Sequence, residues 1–117
     1  MDAFFTQFHE FMGQLIKVFP DDADFKMYDD GVALVQRMNP GLVISEFGKH
    51  VSPFDKVIRK RDDAFFMNRT FDSLEPDNTM EQVIQKLKGY WTTLSAQNKS
   101  SIWDYITLLL DIHKRCV

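Results

Sequence analysis

A band of large apolar side chains near the N-terminus places the strongest constraint on how this chain can fold. Its members recur at steps of three and four residues, the spacing that lines one face of an α-helix. They are Phe4, Phe5, Phe8, Phe11, Met12, Leu15, Ile16 and Phe19. Pro20 follows and ends the predicted helix. A face this wide has to be covered by a partner or by other helices of the same chain, and we predict that it is a core face.

The same helical spacing returns along the rest of the chain. We therefore predict an all-α fold, a single compact domain of five or six helices over residues 1–117. Polar caps and first-turn prolines mark the predicted helix starts. They are Asp21 or Asp22, Asn39 with Pro40, Ser52 with Pro53, Asn78 or Thr79, and Ser95. Between Asn68 and Asn78 the apolar residues no longer recur at helical spacing, which predicts a surface connection.

The second and third helices each have a predicted inward face. That of the second helix consists of Phe25, Tyr28, Val32, Val35 and Met38. That of the third helix consists of Leu42, Val43, Phe47 and Val51. Gly31 lies in the middle of the second helix and weakens it there, because glycine disfavours a helix interior.

Both tryptophans flank the stretch "YWTTLSAQNKSSIWDY", residues 90–105. Leu94 precedes the Ser95 cap, and so short a break predicts that the last two helices pack antiparallel as an αα-hairpin. Trp91 and Trp103 stand on opposite sides of the break, where they can cover the seam between this hairpin and the first helix. An exposed binding pair is the alternative, since tryptophan is enriched at interfaces. We predict that both rings are buried.

Charge and composition exclude several partners. The net charge is −3, so nothing draws the whole chain towards nucleic acid or an anionic lipid surface. No apolar run approaches the roughly 20 residues of a membrane span, and no basic leader precedes an apolar segment. The single cysteine excludes an internal disulfide. These features predict an intracellular protein with no membrane insertion.

The residues that usually carry chemistry do not form a recognisable constellation. His9, His50 and His113 lie in different predicted helices, and His113 with Cys116 supplies two metal ligands where a structural zinc site needs four. No phosphate loop, dinucleotide fingerprint or serine elbow occurs. We therefore expect no catalytic residue, metal, cofactor or small-molecule substrate, and we expect a protein that is not an enzyme.

One basic cluster, "KVIRKR" at residues 56–61, supports an alternative function. Lys56, Arg59, Lys60 and Arg61 are its cations. They can contact phosphates, which makes a small nucleic-acid-associated regulatory factor the alternative function. Asp62 and Asp63 follow at once and cancel part of the field, so a solvated helix end is the favoured interpretation.

Phe65 and Phe66 are the predicted partner-binding residues. They stand side by side in "DDAFFMNR", outside a clear helical period. Adjacent residues of a short helix do not face the same point, which predicts that one of the two rings is exposed.

Several stretches of the chain resemble short all-helical proteins of nucleocytoplasmic large DNA viruses. They are "FFxxFxxFMxxLIxVFP" from residue 4, "NPxxVIxxF" from residue 39, "DDxFF" from residue 62 and "WxxLxxxNKxxIWxYIxxLLxI" from residue 91. The most distinctive positions are Trp91, Leu94, Asn98, Lys99, Ile102, Trp103 and Tyr105. The resemblance spans nearly the whole chain and implies no catalytic residue. It implies a virion component or a host-interacting factor, in the cytoplasm or nucleus of an infected cell or in the virion, that binds a viral or host protein or associates with itself.

Overall fold

Helices make up nearly all of the described chain. The structure, a computed structural model, describes residues 2–67 and 79–116. The α-helices of these two ranges are α1 (Asp2–Val18), α2 (Asp24–Met38), α3 (Pro40–Val51), α4 (Asp55–Arg59), α5 (Ala64–Met67), α6 (Thr79–Tyr90) and α7 (Ala96–Cys116). Two short 3₁₀ turns cover Ser52–Phe54 and Trp91–Thr93, and the two ranges contain no strand. The all-α prediction is confirmed, and the predicted connection of residues 68–78 lies outside the described residues.

Two helix starts form as their capping residues predict. The Asn39 side chain accepts a hydrogen bond from the backbone N–H of Leu42 at 3.3 Å, with Pro40 as the first residue of α3. The Ser95 hydroxyl accepts one from the N–H of Asn98 at 3.1 Å at the start of α7. Each cap satisfies a donor that the first helical turn leaves without a partner. Gly31 does not interrupt α2, which is continuous.

The predicted fourth helix is divided into shorter pieces. Ser52 follows the end of α3 and gives its 3₁₀ turn no side-chain cap, so its predicted role as an N-cap is wrong. Its hydroxyl lies 3.5 Å from Nδ1 of His113 instead. Arg61 adopts a positive φ of 53° between α4 and α5, a conformation that ends a helix. The chain therefore turns there, and α5 begins in a new direction.

Helix α1 supplies six buried apolar residues to the core, as its apolar band predicts, and α7 supplies as many. Helix α1 packs along α7 on one side and against α2 on the other. Its buried residues are Phe4, Phe5, Phe8, Phe11, Met12 and Leu15. Phe4 also meets Phe47 of α3 edge to face, with ring centroids 5.0 Å apart. The radius of gyration is 13.3 Å, close to the value of about 13 Å for one domain of this length.

Both tryptophans are buried, which confirms their predicted position in the core. Their ring centroids lie 5.4 Å apart. The Phe66 ring of α5 packs against both, with its centroid 4.3 Å from that of Trp91 and 5.3 Å from that of Trp103. Trp91 and Trp103 thus join the 3₁₀ turn after α6 to α7 through a shared aromatic cluster.

The last two helices follow one another across a short connection, but their main packing partners differ. Helix α7 lies along α1 and also meets α3 and α4, whereas α6 packs against α2, α3 and α5. Leu94 explains the divergence, because its backbone is extended, with ψ of 143°. Helix α7 packs more extensively on α1 than on α6.

Candidate interaction surface

Large apolar side chains are exposed along one side of α2. Met27 is 59% exposed, Leu34 57% and Met38 78%. At about 100° per residue, these three positions fall within about 40° of arc around the helix. We call this stripe the α2 outer face. Single exposed apolar residues are common on proteins, but an aligned stripe is typical of a surface that another helix or protein covers.

The opposite side of α2 is fixed against the rest of the molecule. Phe25 and Val32 are buried there. The Phe25 ring stacks on Phe19, which follows α1, at a centroid distance of 5.4 Å. Because this inner face is packed, α2 cannot rotate to bury its outer face.

A polar contact between α1 and α2 adds to this packing. His9 Nδ1 lies 2.5 Å from Oδ1 of Asp29, and its Nε2 lies 2.8 Å from Oε1 of Gln36. Burial by itself lowers the pKa of His9, but the hydrogen bonds to Gln36 and Asp29 and the charge of Asp29 outweigh it, so the pKa is raised. Protonated His9 can donate to both acceptors at once.

The N-terminal end of α2 is tied to α6 by a cluster of charges. Lys86 Nζ lies 2.6 Å from Oδ2 of Asp24 and 3.1 Å from Oδ2 of Asp22. The Tyr90 hydroxyl donates to the same Asp22 oxygen at 2.6 Å. This hydrogen bond is the main reason that the pKa of Asp22 is lowered and the pKa of Tyr90 is raised. The pKa of Lys86 is raised, first by Asp24 and also by Asp22.

Two clefts, of about 470 and 430 Å³, share Lys86 and Tyr90 in their walls. Both clefts are shallow and open to solvent. Lys86 lines both clefts, and Asp22 lines the smaller one together with Asp21. Lys86 and Asp22 are already bound to each other. We therefore interpret this region as a clamp that holds α2 on α6.

One residue of the α2 outer face and one exposed residue of α3 were predicted to lie in the core. Met38 and Leu42 were predicted to face inward, and both are exposed, so these predictions are wrong. Met38 is the last residue of α2, where the helix ends and the chain turns at Asn39. A signal for the outer face was present in the sequence, since Met27 and Leu34 are apolar residues left off the predicted inward face.

The predicted partner-binding phenylalanines belong to the core. Phe65 is 2% exposed and Phe66 is fully buried, so the prediction that one ring is exposed is wrong. The Phe65 ring meets Phe54 edge to face at 5.5 Å, and Phe66 packs on the tryptophans. Adjacent residues face different directions on α5, but α5 is covered on both sides, so both rings find partners.

The basic cluster of residues 56–61 is partly neutralised by α7. Arg59 donates to Asp55 through Nε and to Asp111 of α7 through Nη2, each at 2.7 Å. These hydrogen bonds, first that of Asp55 and then that of Asp111, raise the pKa of Arg59. Arg59 therefore serves as a link between α4 and α7.

Of the three remaining cations of this cluster, one is paired and two are not. Arg61 pairs with Asp104 of α7, and its guanidinium also donates to the hydroxyl of Ser100 at 3.1 Å. Lys56 and Lys60 are exposed, and no carboxylate within the described residues pairs with either of them. Two of the four predicted phosphate contacts are thus bound within the molecule.

Each of the three histidines joins two helices. His9 joins α1 to α2, as described above. His50 of α3 lies 2.9 Å from Oε1 of Glu81 in α6. His113 of α7 is buried and donates through Nε2 to the carbonyl oxygen of Ile44 in α3 at 3.2 Å. We infer that all three have structural roles.

No group of three or more His, Cys, Asp or Glu residues that could hold a metal ion occurs within residues 2–67 and 79–116. None of the helices in these ranges is long and apolar enough to cross a membrane. Comparison of the chain with protein-family models, with curated proteins and with solved structures gives no match. The resemblance to proteins of large DNA viruses therefore stays a prediction.

Proposed function

We propose that this chain is a non-catalytic helical interaction protein of a large DNA virus, and that it binds protein through the α2 outer face. The observation that carries the proposal is the alignment of Met27, Leu34 and Met38 on one exposed stripe. Covering such a stripe contributes roughly 25 cal/mol per Å² of apolar area removed from water. The inner face of α2 is packed, so a partner is the means of covering the outer one.

The viral setting rests on the sequence motifs that resemble proteins of large DNA viruses. It places the chain in the cytoplasm or nucleus of an infected cell, or in the virion. Trp91 and Trp103, two of the most distinctive positions of that resemblance, are core residues. The motifs therefore support a shared fold, and the α2 outer face supplies the contact with a partner.

Removing the stripe tests the proposal. The double variant Leu34→Gln with Met38→Gln makes the α2 outer face polar and leaves the inner face intact. Leu108→Gln is the matched control, because Leu108 is an exposed leucine on α7. Both proteins are expected to keep the wild-type circular dichroism spectrum.

The readout is the set of proteins recovered in stoichiometric amounts with each tagged variant, from infected cells and from purified particles. Loss of a bound protein with the double variant, but not with Leu108→Gln, supports the proposal. Equal recovery of the same proteins by wild type and both variants contradicts it.

Binding of nucleic acid through residues 56–61 is the alternative. Its support is the exposure of Lys56 and Lys60 without a carboxylate partner in the described part of the chain. The affinity for DNA would fall steeply with added salt, with a slope of about −0.9 per phosphate contacted. Lys56→Gln with Lys60→Gln would abolish that slope. A wild-type chain that does not bind DNA at low salt removes this alternative.

A further inference from the structure

We propose that two copies of this chain associate through their α2 helices, which pack antiparallel about a two-fold axis close to Leu34. This inference rests on the proposed function, since it names the protein that the α2 outer face binds as a second copy of the same chain. Two-fold pairing requires a surface that is complementary to itself. Two features meet this requirement: the charges on the flank beside the α2 outer face, and the sizes of the side chains along that face.

One flank of α2 carries charges that are complementary to a reversed copy of itself. Asp30 and Arg37 stand one heptad apart on this flank, about 20° from each other around the helix. Asp30 and its helical neighbour Lys26 are both exposed, with 3.3 Å between their charged atoms. Arg37 is exposed, and no carboxylate in the described ranges pairs with it. In an antiparallel pair, Asp30 of each copy faces Arg37 of the other, twice by symmetry.

This charge pairing also determines which apolar residues meet. In the same register, Leu34 of one copy falls opposite Gly31 of the second copy, and Met27 falls opposite Met38. A Cβ added at Gly31 would meet no atom within 4 Å, so the space beside it is open. The Leu34 side chain can enter this space as a knob enters a hole, which lets the two helices approach closely.

A parallel pair of α2 helices lacks this complementarity. It would place the flank of Asp30 and Arg37 against the opposite flank, which carries Tyr28 and Val35. Neither Tyr28 nor Val35 offers Arg37 a charge. The antiparallel arrangement is therefore the one that the charges favour.

An exchange of charges tests the arrangement. Arg37→Glu and Asp30→Arg are made singly and together, and Lys17→Glu on α1 is the control for a charge reversal elsewhere. Sedimentation equilibrium at low ionic strength, where screening is weak, gives the dimer dissociation constant. Each single variant places like charges opposite each other twice and is expected to raise that constant about three- to tenfold. The dissociation constant of the double variant is expected to lie within about twofold of the wild-type value, because each ion pair re-forms with the two charges exchanged.

Three results would overturn the inference. The wild-type chain could be monomeric at every concentration reached, or the single variants could have the same dissociation constant as Lys17→Glu. The double variant could also dimerise as weakly as the single variants. Circular dichroism of each variant shows whether the fold is retained. The proposed function is judged separately by the Leu34→Gln and Met38→Gln comparison. A monomeric chain that loses a bound protein through those substitutions removes self-pairing and keeps the proposed function.

Discussion

Gly48 lies so close to His113 that no side chain fits between α3 and α7 at this point. A Cβ at position 48 would be 2.6 Å from Nε2 and 2.8 Å from Cε1 of His113. The ring is held by its hydrogen bond to the carbonyl oxygen of Ile44 and by burial. Moving it aside would break that bond, so glycine at position 48 is required by the packing.

Gly48→Ala is expected to lower the free energy of unfolding by about 1–3 kcal/mol, because it overpacks this contact. Helix propensity alone would act in the opposite direction, by about 0.5–1 kcal/mol. The matched control is Gly13→Ala in α1, where an added Cβ meets no atom within 4 Å. Urea denaturation of both variants checks the expectation. If both were equally stabilised, the His113 ring would have moved at no cost.

The contact of His9 with Asp29 makes part of the stability depend on pH. The pKa of folded His9 is raised above the ordinary value of 6.5. Protonated His9 therefore stabilises the fold fully below that value, and this stability is lost as the pH rises through the higher folded-state pKa.

Asp29→Asn is expected to remove most of this pH-dependent stability. The difference in free energy of unfolding between wild type and Asp29→Asn should be larger near about pH 5 than near about pH 9, on either side of the histidine range. Asp21→Asn, at an exposed aspartate before α2, is the control. Denaturant titrations at both pH values, with an NMR titration of His9, provide the measurement. A difference that does not change with pH would show that His9 stays neutral.

At the scale of elements, α5 is short but contributes two buried rings. Phe66 contacts both tryptophans, so it joins α5 to the turn after α6 and to α7. Its neighbour Met67 is 40% exposed. Phe66 and Met67 are adjacent in one helical turn, but the first is a core residue and the second a surface residue.

Phe66→Ala is expected to lower the free energy of unfolding by about 3–5 kcal/mol, because it leaves a cavity beside the tryptophans. Met67→Ala, in the same turn, is expected to change it by no more than about 0.5 kcal/mol. Thermal or urea unfolding followed by circular dichroism measures both. A Phe66→Ala protein as stable as Met67→Ala would contradict the burial of the Phe66 ring.

Local spacing and capping were sufficient to predict the long helices. The α1 band, the Asn39 cap and the Ser95 cap depend on residues within about four positions of each other, and the sequence displays these directly. The shorter elements depend on distant contacts. The Phe66 ring packs on Trp91 and the Phe65 ring lies near Trp103, each more than twenty positions away, and no local pattern encodes such contacts.

The candidate interaction surface was missed for a related reason. A helix that carries apolar residues on two sides has no single inward face, and the sequence does not say which side meets the core. Met38 was assigned to the inner side because it continues a three- and four-residue spacing. Phe25 and Val32 fix the inner side only through their packing in the folded molecule, which leaves Met27 and Leu34 outside.

At the scale of the whole molecule, one continuous cluster of buried side chains connects the helices. The helices of the described ranges are therefore expected to unfold in a single transition. Tryptophan fluorescence reports on the contact of Trp91 with Trp103, whereas far-ultraviolet circular dichroism reports on all helices. Urea midpoints measured with the two probes should coincide. Separate midpoints would mean that part of the chain unfolds independently.

Gly31 lies inside the continuous helix α2, where a side chain would affect the stability of the fold and the pairing of two copies in opposite ways. Alanine at position 31 would meet no atom of the described monomer, so it should raise the free energy of unfolding by about 0.5–1 kcal/mol. The same methyl group would occupy the hollow that receives Leu34 of a second copy. Unfolding at low protein concentration and sedimentation at high concentration should therefore respond to Gly31→Ala in opposite directions. If Gly31→Ala raised both the free energy of unfolding and the strength of dimerisation, the contact between copies would lie elsewhere on the molecule.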